Sequence, residues 1–311
     1  MPPERPSPPV PQEPTRSPLA SVQCNCLTVD VEDYFHPNAM DAAVAPEQWT
    51  SLPQRVERNT LRMLDLLDEH ETKATFFVLG WVAERHPRLV GEIVGRGHEL
   101  ACHGYLHRLV YELGPVAFRR DVERARAVLQ DQAGRAVDGF RAASYSIVAT
   151  AMWAIDVLID AGFAYDSSIF PVHHDLYGIP NFDRFLVRID RPGGSIIEIP
   201  PSTLRVAGTN LPIAGGGYLR IAPYALTRWA IRRINRVDGE PAIVYTHPWE
   251  LDADQPRLPV GMRTRLRHYS RLATTEEKLR RLLSEFHFAP LGTVFAAREA
   301  SPALYAMEAA G

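Results

Sequence analysis

From Val22 to Glu285 the chain repeats one rhythm, a short apolar run followed by a longer amphipathic stretch, and that rhythm restricts the fold more than any other feature. Apolar runs of this length read as buried strands, and stretches with a 3.6-residue period read as helices. Strands are expected at 22–32, 74–79, 99–102, 137–141 and 242–246. Helices are expected at 54–69, 88–96, 116–130, 151–161, 223–234 and 276–285. Strands joined through helices run parallel with right-handed crossovers. The fold class is therefore α/β, its sheet either closed into a barrel or left open and doubly wound. Residues 185–200 break the rhythm: Leu186, Arg188 and Asp190 alternate, Pro192-Gly-Gly194 turns the chain, and Ile196 and Glu198 alternate again. This predicts a β-hairpin inserted in the α/β frame.

At 311 residues and 46% hydrophobic content the chain can build one large core or two modest ones. The proline-rich stretch 1–20 buries little apolar surface and is expected to be a tail, leaving 21–297 as the folded domain and 298–311 as a second tail. A net charge of −3, with both signs mixed along the chain, leaves no basic stripe for a phosphate backbone, so nucleic acid is excluded as a partner. Arg257, Arg263, Arg265, Arg267 and Arg271 form a local exception, either a solvated face or an anchor for an anionic substrate. Cys24, Cys26 and Cys102 are too few and odd in number for a disulfide scaffold; they read as small buried residues in a reducing compartment. No apolar run approaches the ~18 residues of a membrane span, and no charged start with an apolar core opens the chain. Cytoplasmic residence is the expectation.

Reactive side chains gather where the strands end. The strand from Cys24 runs into Asp30-Val-Glu-Asp33, and another runs into His103-Gly-Tyr-Leu-His107. One helical turn would bring His103 and His107 to the same face. Two imidazoles and a carboxylate suit a divalent ion that activates water; zinc fits first, and cobalt, nickel or iron accept the same donors. Strand alternation places Glu32 on the face of Asp30 and favours it as the carboxylate ligand, whereas a strand ending earlier would bring in Asp33. His98 and Glu99 lie at a strand start and read as structural. Gly215-Gly-Gly-Tyr218 is either a plain turn or a loop that lets backbone approach a ligand. His173, His174 and Tyr177 either line a ligand groove or lie in a solvated loop, and Trp249 either offers an open stacking face or packs in the core.

Three more strand ends carry such residues: Gly139-Phe-Arg141-Ala-Ala-Ser-Tyr145, Tyr165-Asp-Ser-Ser168 and Tyr245-Thr-His247-Pro-Trp-Glu-Leu-Asp252. With all five in chain order, residues 22–295 resemble the NodB-type polysaccharide deacetylases (carbohydrate esterase family 4-like). Thr28-Val-Asp-Val-Glu-Asp-Tyr-Phe35 is similar to the opening of the branch associated with exosortase/PEP-CTERM exopolysaccharide loci. The resemblance implies a distorted (β/α) barrel and a metal held by His103, His107 and an acid of the first motif. That motif commonly has two adjacent aspartates, base then ligand; here Val31 and Glu32 separate Asp30 from Asp33, so both Glu32 and Asp33 stay candidate ligands. By the same resemblance Asp30 is the base, Arg141 orients it, the Tyr145 backbone N–H helps hold the oxyanion, His247 is the general acid, and Asp166 keeps His247 charged. The implied activity is removal of N-acetyl groups from amino sugars of an exopolysaccharide or its precursor, free or lipid-linked. O-acetyl ester or small-amide hydrolysis at the same site, or a glycan-binding scaffold without turnover, are the alternatives. Oligomeric state is left open.

Overall fold

The structure, a computed structural model, describes residues 24–213 and 215–299. The tail expected at 1–20 lies outside the described residues, as does nearly all of the one expected at 298–311. The strands are β1 (Cys24–Val31), β2 (Thr75–Val78), β3 (Glu99–Cys102), β4 (Gly139–Phe140), β5 (Tyr165–Asp166), β6 (Val187–Arg191), β7 (Gly194–Glu198), β8 (Thr203–Val206), β9 (Thr209–Pro212), β10 (Ile243–Thr246) and β11 (His287–Ala289). The main sheet runs β10-β1-β2-β3-β4-β5-β7-β6, with β11 also beside β1. Every pairing in it is parallel except β6 with β7.

The barrel is left incompletely closed. Among the described residues no ladder joins β6 or β7 to β10. Instead the chain leaving β7 reaches β10, where Ser202 N–H donates to Ile243 O at 3.3 Å and Ile243 N–H to Ser202 Oγ at 2.7 Å. Gly215 adds an isolated parallel bridge to Tyr245, and a Cβ there would stand 1.8 Å from Tyr245 O, so only glycine closes this seam. The hairpin expected at 185–200 forms, but it is no insertion: β7 lies parallel to β5 and extends the sheet. A second hairpin, β8–β9, lies apart from it.

Helices α1 (Val56–Glu69), α2 (Gly80–Arg85), α3 (Pro87–Gly95), α4 (Val110–Ala133) and α5 (Trp153–Asp160) follow the first strands. Helix α1 buries Val56, Thr60, Met63, Leu64 and Leu67, the one-sided spacing that predicts it. Helix α4 breaks at Gly114 (φ 71°), restarts at Pro115 and ends on left-handed Gly134, which explains why the sequence pattern begins only at residue 116. Beyond β9 come α6 (Gly216–Ile221), α7 (Tyr224–Arg233), α8 (Met262–Tyr269), α9 (Thr275–Glu285) and α10 (Leu291–Glu299). No described helix is long and apolar enough to cross a membrane.

Strand alternation divides β1 between two environments. Leu27, Val29 and Val31 join the large core under the helices. Cys26 joins Phe77, Ala101, Ile243, Leu291 and Phe295 in a smaller cluster inside the barrel, so α10 plugs the end where the strands begin. Asp30, on the same face of β1 as Cys26, emerges at the other end.

Candidate metal centre

At that other end Glu32, His103 and His107 each turn a ligating atom inward, all within 4.8 Å of one another and all buried. Glu32 lies just past the end of β1 but keeps its alternation, on the same side as Asp30. His103 follows β3 directly. Its Nδ1 donates to Arg141 O at 2.8 Å, a tautomer assigned from that partner, which leaves Nε2 as a lone pair facing the cluster. Burial lowers its pKa to about 4, so the ring is neutral at pH 7, the form a metal needs.

His107 comes to the cluster by a different local structure from the one its spacing suggests. The chain from His103 to His107 is a loop, not a helical turn, with left-handed backbone at Gly104 (φ 75°) and His107 (φ 52°). Asp121 of α4 accepts the N–H groups of Tyr105 (2.7 Å) and Leu106 (3.3 Å), and Gly80 and Trp81 donate to Gly104 O and Tyr105 O. So held, His107 places Nε2 2.9 Å from Glu32 Oε2, while its Nδ1 is buried without a partner. Burial opposes charge on Glu32, yet His107, His247 and His103 outweigh it and hold the carboxyl well below its usual range. An ionised carboxylate and two imidazoles, one with an unpartnered buried nitrogen, fit a divalent cation.

Asp33 does not belong to this group. Its Oδ1 accepts Tyr34 N–H at 2.9 Å, and its Oδ2 accepts Arg55 N–H at 2.6 Å and Val56 N–H at 2.9 Å. The carboxylate thus satisfies free donors at the start of α1. As a candidate ligand it is corrected in favour of Glu32.

Arg141, completely buried, reaches Asp30 Oδ1 and Thr28 Oγ1 through Nη1, both at 2.7 Å, and Ser167 through Nε and Nη2. A buried ion pair is tolerable because its donors are filled by hydrogen bonds in this way. The guanidinium fixes one oxygen of Asp30 and leaves Oδ2 3.9 Å from His247 Nε2. The pairing of Arg141 with Asp30 read from the sequence is present.

His247, directly after β10, bonds through Nδ1 to Glu250 and points Nε2 at Glu32 Oε1, 3.6 Å away. Burial acts against its charge, but the Glu250 bond and charge, then Glu32 and Asp30, raise its pKa to about 9. Glu250 is itself held ionised by Arg220, whose Nη1 lies 2.6 Å from Oε2. The sequence reading missed both residues. A signal for Glu250 existed: Pro248 begins a 3₁₀ turn, Pro248–Leu251, and i,i+3 spacing returns Glu250 to His247. Asp166, the expected partner, is instead completely buried against Ser168 and Glu198; burial raises its pKa to about 6. That assignment is corrected.

Tyr145 lies beside the site in a turn where both Ser144 (φ 49°) and Tyr145 (φ 53°) are left-handed, a strained arrangement for two side-chain-bearing residues. Its N–H donates to Ala142 O at 3.1 Å, so the donor expected for an oxyanion is engaged within the turn. Trp249 is buried between the His247 and His268 rings and donates Nε1–H to Glu32 Oε1 at 3.0 Å, a buttress rather than an open stacking face. His174 stacks on Tyr177 at the rim, and His173 is exposed. His98 and Glu99 are structural as read: His98 Nδ1 accepts Ala74 N–H, and Glu99 binds Thr75 and Tyr165. Asp30, Glu32, His103, His107 and His247 open onto one cavity of about 360 Å³, within the small-molecule range.

Residues 49–164 match the family model described as Polysaccharide deacetylase, and residues 167–296 match one described as Domain of unknown function (DUF3473). Among curated relatives, a chitooligosaccharide deacetylase of Sinorhizobium fredii is 45% identical over 65 residues, 21% of this chain and 28% of that protein. One of Bradyrhizobium is 28% identical over 142 residues, 43% of this chain and 61% of that protein. A peptidoglycan-N-acetylglucosamine deacetylase of Bacillus cereus is 35% identical over 77 residues, 25% of this chain and 28% of that protein. The matches thus span between about a quarter and three fifths of these relatives. Among solved structures, a Mycobacterium smegmatis protein described as a candidate polysaccharide deacetylase superposes with a TM-score of 0.60 at 21% identity, covering 94% of this chain and 95% of that one. An allantoinase, PuuE, gives 0.57 at 16% identity, covering 89% and 90%. The fold is accordingly the α/β fold of these two solved structures, and residues 49–164 are similar to the polysaccharide-deacetylase family.

Proposed function

We propose that this chain is a metal-dependent N-deacetylase acting on acetylated amino sugars of an exopolysaccharide or its precursor, as expected for the exosortase/PEP-CTERM-associated branch. The observation that carries this is the placement of Asp30 with Arg141 and of His247 with Glu250 around one cluster of metal-ligating atoms. Glu32, His103 and His107 would hold the ion, with zinc the expected metal. When bound, it polarises the acetyl carbonyl and makes water acidic enough to attack at neutral pH. Asp30, oriented by the Arg141 guanidinium, accepts the proton of that water. His247, charged through Glu250 and Arg220, donates a proton to the departing nitrogen.

That last step favours an amide over an ester. An amine must be protonated to leave, whereas an alkoxide leaves with less help, so an imidazole held charged by Glu250 suits C–N cleavage. A non-catalytic glycan-binding scaffold would have no use for the base, its orienting arginine and the acid. Zinc-loaded chain incubated with N-acetylglucosamine oligomers should release acetate and free amine in equal amounts. Acetate without amine would make it an O-acetyl esterase, and neither product from any acetylated glycan would reject the reading.

A further inference from the structure

Beside the catalytic cavity lies a second, of about 460 Å³, and the two share His174, Gly217, Tyr245 and Arg267 as a common wall. Their chemistry differs. The catalytic cavity is faced by carboxylates and imidazoles, whereas this one is lined by Pro212, Ile213, Ile221, Ala222 and Leu226. Ile221 and Leu226 remain 46% exposed, and one turn further along α7 Trp229 is 50% exposed. Apolar surface around a concavity, left open to water, marks a binding face rather than a packing defect.

The charge at the junction says what the ligand carries. Arg267 stands in the shared wall and Arg263, one turn earlier on α8, lines the catalytic cavity; both are exposed. Arg267 bonds His174 Nε2 at 3.2 Å rather than a carboxylate, and neither arginine joins an ion pair among the described residues. Guanidinium groups without acidic partners are the donors a phosphate requires. A polysaccharide of neutral sugars offers these cations no anion and leaves Ile213, Ile221 and Leu226 without an apolar partner.

We propose that the second cavity takes the apolar chain of a lipid-carried amino sugar, with Arg267 and Arg263 binding the phosphate or diphosphate that joins chain to sugar. The proposal rests on the deacetylase reading and names the substrate class of that site. Sugar, phosphate and chain then lie in order from His247, past Arg267, to Leu226.

Two measurements on the full chain test it. In chelator, calorimetry follows binding of dodecyl phosphate; Leu226→Asp should weaken it about tenfold by removing apolar contact, and Arg267→Gln should weaken it by a similar factor. Position 226 lies in the first turn of α7, where a carboxylate is favourable, so folding is retained. With zinc added, N-acetylglucosamine 1-phosphate and its dodecyl phosphodiester are compared as substrates. The tailed one should show a KM about tenfold lower at similar kcat. Leu226→Asp should erase that difference while leaving turnover of the tail-less sugar unchanged. Equal KM values for the pair, or dodecyl phosphate affinity indifferent to Leu226→Asp, would overturn the proposal. So would a dimer broken by Leu226→Asp with dodecyl phosphate binding unchanged, which would assign the face to a second copy of the chain. Leu226-dependent binding of dodecyl phosphate with no acetate from either substrate or from N-acetylglucosamine oligomers would support the apolar-phosphate site and reject the deacetylase reading instead.

Discussion

At Glu32 the carboxylate lies among three imidazoles, from His103, His107 and His247, whereas at Asp33 it faces three backbone N–H groups. Adjacent acids therefore respond to substitution in different ways. Asp33→Asn keeps one acceptor and loses charge-assisted bonds at the start of α1, so it should cost about 1–3 kcal/mol of stability, read from a urea midpoint, with metal content unchanged. His247 gives the pH dependence its sign. A histidine whose folded pKa is raised to about 9 keeps its proton below that value and loses it above. The rate kcat/KM should accordingly fall as pH rises through about 9. Glu250→Gln removes the charge that holds the proton and should bring that fall to lower pH by about one unit or more. A pH profile with the same upper limb in both proteins would show that Glu250 does not set it.

The pairing of β5 with β7 places Asp166 opposite Glu198, both completely buried. Burial raises both pKa values, that of Asp166 to about 6, and the neighbouring Asp166 raises that of Glu198 further, so the fold prefers a proton on the pair. For an acid whose folded pKa lies above its unfolded one, stability falls as pH rises between the two, here from about 4 to about 6 for Asp166 and further up the pH scale for Glu198, which is raised well above its ordinary value. Glu198→Gln mimics the protonated form and should flatten that decline; urea midpoints between about pH 4 and 7 check it. The same pairing shows where sequence reading stops. Period and apolar runs located β1, β2, β3 and β10 because each is a buried strand of four or more residues. They located the β6–β7 hairpin through its Pro-Gly-Gly turn, but not its place beside β5, which depends on long-range pairing that no local pattern encodes. His103 and His107 were legible by residue type and strand-end position, yet they meet through a loop fixed by Asp121, a partner in α4. Glu250 was hidden because a glutamate three residues after a histidine signals nothing until Pro248 is seen to open a turn.

Across the whole molecule the barrel is dry at one end and polar at the other. Leu291 and Phe295 of α10 fill the end where the strands begin, against Phe77, Ala101 and Ile243. Leu291 has no exposed surface, so Leu291→Ala should lose about 2–5 kcal/mol from cavity formation, seen as a lower denaturant midpoint, with no change in metal content. That separation lets stability and chemistry be tested independently. The polar end holds the central claim, that Glu32, His103 and His107 are one metal site serving Asp30 and His247. Its most direct test is elemental analysis of purified, zinc-loaded chain beside the His103→Ala/His107→Ala double variant and Asp30→Asn. The expected result is one zinc per chain in the parent, one in Asp30→Asn with acetate release lost, and none in the double variant. Zinc retained at the parent's level in the double variant would contradict the site itself.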